Sequence, residues 1–224
     1  MKTIPIRKTI LATLAFTFSN WQKLLEVSIF PFLMSLPLIT ILPELMIALQ
    51  AQLFGIGEVG AYPEYYQLYL LMFDYGYMAL VINIYRMVIS GNNSIARLGA
   101  VLPSLRFGRF FLLFILLSIA IQFPIFISPF LLPFIYFLLI PISLNLVSIA
   151  NDVPYKKIKL QLSVQLRVFL LKLGVPTLLI VLVTLIGANE FTFWGSMVII
   201  IYWMAISFAL CYSVIMANSS KQSP

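Results

Sequence analysis

Between Arg109 and Asp152 the chain runs for 42 residues without one charged side chain. Wound as an α-helix at 1.5 Å per residue, such a stretch is about 63 Å long, twice the roughly 30 Å of a bilayer's hydrocarbon core. It therefore folds back once, as two membrane helices, and "QFPIFISP" (Gln122 to Pro129) is the natural hairpin between them. A water-facing surface is out of reach for this chain. Only 9% of its residues are charged and 62% are hydrophobic, whereas soluble domains carry about 25% charged residues.

Breaks in the apolar pattern predict six spans, at about 27–48, 65–89, 109–124, 129–149, 167–187 and 194–217. The expected fold is an all-α integral membrane protein, a single domain over residues 1–224 built as three hairpins. All 14 Lys and Arg residues fall on one side of that alternation, from Lys2, Arg7, Lys8 and Lys23 to Lys221. The opposite loops hold Glu58, Glu64 and Glu190 and no basic residue. The positive-inside rule then places both termini in the cytoplasm, with anionic headgroups facing the basic loops. The net charge of +7 is a topology signal and calls for no nucleic acid.

The N-terminal "MKTIPIRKTILATLAFTFSN" begins as a signal peptide does. Cleavage would break the charge alternation, so the segment over about 4–22 reads as a short amphipathic helix on the membrane surface. Three junctions, "AFTFSNWQKLL", "VLPSLRFGRFFL" and "KLQLSVQLRVFLL", share an amphipathic lead-in and a basic residue before a hairpin. They read either as a triplicated unit or as ordinary membrane borders. Pro31, Pro37 and Pro43 in the first span, Pro133 and Pro141 in the fourth and Pro176 in the fifth each remove a helix hydrogen bond, and a kink is expected at each.

Asp74 is the carboxylate in the middle of the second span. Gln67, Asp74 and Tyr85, spaced 7 and 11 apart, fall within about 20° of one another on a helix and form a candidate buried polar stripe. Gly76, Ala79 and Asn83 make a seam of small residues opposite, so this helix is expected at the centre of the bundle. A charge at mid-bilayer costs about 2.5–3.5 kcal/mol, which asks for a protonated acid or a partner. Tyr77, Asn145 and Lys172 are the candidate partners, although the stem of Lys172 is also long enough to snorkel to the interface. Arg86, Arg97, Arg106, Arg109, Lys156, Lys157 and Lys159 are the candidate contacts to lipid phosphate on the cytoplasmic side.

No histidine is present, and the single cysteine, Cys211, excludes an intrachain disulfide. No P-loop, no GxSxG and no HExxH occurs, so no catalytic residue, metal site or cofactor is assigned. "INIYRMVISGNN" (Ile82 to Asn93) resembles a junction of uncharacterised bacterial six-helix membrane proteins, through Arg86 and Gly91. Tyr85 stands where those proteins commonly have His, and Asn92 where they have Glu. The resemblance implies a bacterial inner-membrane protein without an assigned activity.

Three functions are open to such a chain. The leading expectation is a non-enzymatic structural or assembly protein with a membrane-protein partner or a homo-oligomer. A permease using Asp74 is the alternative, and a lipid-active enzyme at the cytoplasmic face is the third.

Overall fold

The structure is a computed structural model and describes residues 4–54, 62–123, 128, 130–153, 158, 160–187 and 189–220. Its elements are α1 (Ile6–Ser19), α2 (Trp21–Phe54), α3 (Tyr66–Ser90), α4 (Leu105–Gln122), α5 (Leu131–Ala150), α6 (Leu162–Phe169), α7 (Val175–Leu185) and α8 (Glu190–Ser220). A π-helical turn, Leu170–Gly174, joins α6 to α7. Among the described residues six stretches are long and apolar enough to cross a membrane, and the protein is all-α. Leu112, Leu116, Leu178 and Leu182 are among the many large apolar side chains left exposed, as lipid-facing helices require.

Several boundaries differ from those read in the sequence. The first span starts at Trp21, six residues early, because the chain breaks only at Asn20. There both the backbone N–H and the side-chain amide of Asn20 turn back to the Phe16 carbonyl, at 3.0 and 2.9 Å. The second junction begins α4 at Leu105, where the Ser104 hydroxyl accepts the Phe107 N–H. The third enters α6 from an extended Gln161. The three junctions are thus locally unlike one another. The hairpin Gln122 to Pro129 lies mostly outside the described residues.

Contacts group the chain into two compact units. One comprises residues 22–83 and 96–101, which are α2, most of α3 and the segment Ala96–Val101. α2 stays helical straight through its three prolines. Pro31 has no N–H to offer the Val27 carbonyl four residues back. At this point α3 and the Ala96–Val101 segment both close in. A Cβ added to Gly76 would stand 3.0 Å from the Pro31 carbonyl, and one added to Gly99 only 1.9 Å from the Val27 oxygen. The small seam on α3 therefore faces α2 through Gly76.

Asn83, fully buried, fastens the same segment. Its amide donates to the carbonyls of Ala79 and Gly99, at 2.8 and 3.0 Å, and its oxygen accepts the Ala96 N–H at 3.1 Å. The Tyr75 hydroxyl donates to the Val101 carbonyl. Leu98 and Gly99 take positive φ values of 56° and 79° to make the bend. The segment Ala96–Val101, between the second and third spans, is packed along two membrane helices.

The other unit comprises residues 1–21, 84–95 and 102–224. α4 packs on α5, α7 on α8, and α1 on α8. Its core is built from Phe110, Ile140, Leu144, Val168, Leu171, Ile206 and Phe208. The Ser148 hydroxyl donates to Tyr212 Oη at 2.8 Å and pins α5 to α8.

Candidate functional site

The residues singled out in the sequence do not form one buried stripe. Gln67 lies exposed in the first turn of α3, where its amide reaches the neighbouring Tyr66 hydroxyl at 3.4 Å. Asp74 and Tyr77 are half-buried and belong to the α2–α3 unit. Within that unit Asp74 has neither hydrogen bond nor ion pair among the described residues. Tyr85 is buried in the other unit, with its ring 6.5 Å from that of Phe110 and 6.4 Å from that of Phe208.

Lys172 does not snorkel. Its ammonium is turned inward, 3.9 Å from the centre of the Phe208 ring and 5.3 Å from that of Tyr136. Cation–π attraction of this kind contributes about 0.5–2 kcal/mol, more as the site dries. Asn145, buried on α5, turns its amide to the Pro141 and Ile142 carbonyls of its own helix, at 3.5 and 3.4 Å.

The basic residues assigned to lipid phosphate divide into groups. Arg86 donates from Nε to the Ala150 carbonyl at 2.8 Å, where α5 ends. A cation at a helix C-terminus also meets the negative end of the helix dipole. Asn151 reinforces the tie, donating to the Val147 and Tyr85 carbonyls at 2.9 and 3.4 Å and accepting from Ser90 at 2.9 Å. Arg106 pairs with Asp152. Arg86 and Arg106 are thus tied to the ends of α3, α4 and α5. Arg97 and Arg109 are exposed. Lys156, Lys157 and Lys159 lie outside the described residues.

Sequence reasoning missed the feature that ties these helices together. In three spans a proline leaves a carbonyl without its helical donor; in two of them a side-chain donor from elsewhere in the same unit meets that carbonyl, and in the third a glycine backbone packs against it. Pro31 leaves Val27, which Gly99 closes upon. Pro141 leaves Phe137, and the buried Gln165 side chain donates to that oxygen at 2.5 Å. In the π-helical turn the Val175 N–H bonds the Leu170 carbonyl five residues back. Position 176 would serve Leu171 in the same register, but Pro176 has no N–H. The Trp203 indole of α8 donates to the Leu171 oxygen at 2.9 Å.

The energetics favour this arrangement. Inside a bilayer no hydrophobic force drives one helix onto another, and an unmet backbone group costs several kcal/mol. Pro141 and Pro176 thus each leave a carbonyl that a side chain from another helix meets. The signal was present in the sequence as proline positions, but the partners Gly99, Gln165 and Trp203 are far away along the chain. Replacing Trp203 by Phe keeps the ring and removes the donor. A loss of about 1 kcal/mol in unfolding free energy is expected, measured by denaturant titration in mixed micelles.

Among the described residues no group of three His, Cys, Asp or Glu side chains is placed to hold a metal ion. No family model, no curated protein and no solved structure matches the chain.

Proposed function

We propose that this is a multi-pass protein of a bacterial cytoplasmic membrane, with both termini inside, that works without enzymatic chemistry as a structural or assembly component for other membrane proteins. The observation that carries the reading is where the polar groups go. Asn83, Arg86, Gln165 and Trp203 all donate to carbonyls of the chain's own backbone within their unit, so these polar groups serve packing rather than an open reaction site. The outer helices support it as well. Only 11% of α4's apolar window and 17% of the α6–α7 window are buried, against 50% for α3 and for α8. Whole helix faces remain for partners or a second copy.

A photo-crosslinking side chain at Leu112, Leu116 or Leu178 tests this in native membranes. One adduct of discrete mass, formed from one face and not from the others, supports a specific partner. Adducts to lipid alone from all three positions would remove the assembly reading.

Asp74 supports the second reading, a permease, because it stands half-buried in a span without a partner among the described residues of its unit. Purified protein in proteoliposomes distinguishes the two. A scaffold gives Asp74→Asn and the parent the same proton and solute flux as empty vesicles. Flux in the parent that Asp74→Asn abolishes would install the permease in its place.

A further inference from the structure

We propose that the outward face of α1 docks an anionic phospholipid leaflet, with Leu11, Leu14 and Phe18 among the acyl chains and Arg7 and Lys8 at the phosphates. The helix is amphipathic in the sense opposite to that of a water-soluble protein. Its buried residues are Thr9 and Thr13, while Leu11 is 66% and Phe18 75% exposed. At 100° per residue Leu11, Leu14 and Phe18 lie within about 60° of one another, and the two threonines lie on the far side.

The inward threonines need nothing from α8. Thr9 donates to the Pro5 carbonyl at 3.1 Å and Thr13 to that of Thr9 at 2.8 Å. Arg7 sits one turn before Leu11 on the outward stripe and Lys8 flanks it. Both are exposed and form no ion pair among the described residues. Charge complementarity and the apolar stripe thus select the same occupant, a surface with negative headgroups above a hydrocarbon layer.

The helix is also held in place by the rest of its unit. Ahead of it, the Ile4 carbonyl accepts from Arg167 Nη1 at 2.7 Å. Behind it, Asn20 accepts from the Asn92 amide at 3.1 Å. Its middle packs on α8. A fixed helix meets lipid without the entropy cost of folding on binding. Arg86 and Arg106 hold Ala150 and Asp152, whereas Arg7 and Lys8 are exposed and add to the basic residues that can face phosphate.

The test uses the full chain in nanodiscs of phosphatidylglycerol with phosphatidylcholine. Cys211 is replaced by Ser, and an environment-sensitive dye is placed on Phe18→Cys. The expected result is a dye quenched by lipids spin-labelled in the acyl chain, with phosphatidylglycerol retained above its bulk share when native mass spectrometry strips the disc. Arg7→Gln and Lys8→Gln alter exposed side chains away from the packed face, so the fold is expected to survive. Each lowers that retention about fivefold, the equivalent of one charge near an anionic surface. Unchanged retention in the double variant would overturn the proposal. So would quenching by aqueous iodide in place of lipid, or a disulfide between two copies through Phe18→Cys, which would make the surface a protein contact.

Discussion

Replacing Gly99 by Ala is expected to destabilise the protein by about 4 kcal/mol, which for a membrane domain is the difference between a folded and a lost preparation. Two causes add. An L side chain at φ 79° is strained by about 1–2 kcal/mol. Its Cβ would also fall 1.9 Å from the oxygen and 2.7 Å from the carbonyl carbon of Val27, both backbone atoms of α2. Helix backbone cannot rotate aside as a side chain would, so the Ala96–Val101 segment must lift. Lifting it breaks the Asn83 bonds to Ala96 and Gly99 and strands buried polar groups.

Gly108→Ala is the control, because a Cβ there meets nothing within 4 Å. In the first turns of α4 that change is expected to be neutral or slightly stabilising. Unfolding midpoints of the two variants in the same detergent decide the matter. A loss below about 1 kcal/mol for Gly99→Ala would mean that this segment does not pack on α2.

The second large effect comes from Gln165. Gln165→Leu leaves the part-buried Phe137 carbonyl without a donor, at a cost of about 2 kcal/mol. The proline account makes a sharper statement than that. Pro141→Ala restores a backbone N–H in reach of the same carbonyl, four residues back. In that background Gln165→Leu should cost little. A double-mutant cycle is therefore expected to show a coupling of about 1–2 kcal/mol between two residues joined only through the oxygen of a third. Additive effects would show that Gln165 does not act on the carbonyl left by Pro141. An alternative in which Gln165 only fills space predicts the same loss with or without the proline.

Legibility in the sequence followed the range of the physics. The 42 uncharged residues from Phe110 to Asn151 required two helices on length alone. The small seam of Gly76, Ala79 and Asn83 was readable because helix periodicity places those residues on one face whatever their neighbours do. Small side chains there permit the close approach that Gly76 makes to Pro31. The rest depended on what arrives from a distance. Asn83 read as part of that seam, but it is a clamp with three hydrogen bonds to backbone, two of them to a segment beyond the end of its own helix. Lys172 read as a residue free to snorkel, and the rings of Phe208 and Tyr136 turn it inward. Gln67 had the right phase on the wheel, but α3 leaves its first turn outside the packing.

What the chain settles without tertiary information is its solvent and its number of crossings, since hydropathy, helical rise and the thickness of a bilayer are all local or external quantities. The prolines mark which carbonyls lack a helical donor, again a local fact. Which groups meet those carbonyls is a tertiary fact. Gly99, Gln165 and Trp203 are separated from Val27, Phe137 and Leu171 by tens of residues, and only the packed helices bring each pair within reach. In lipid, where apolar faces are interchangeable, such polar addresses tell one helix arrangement from another.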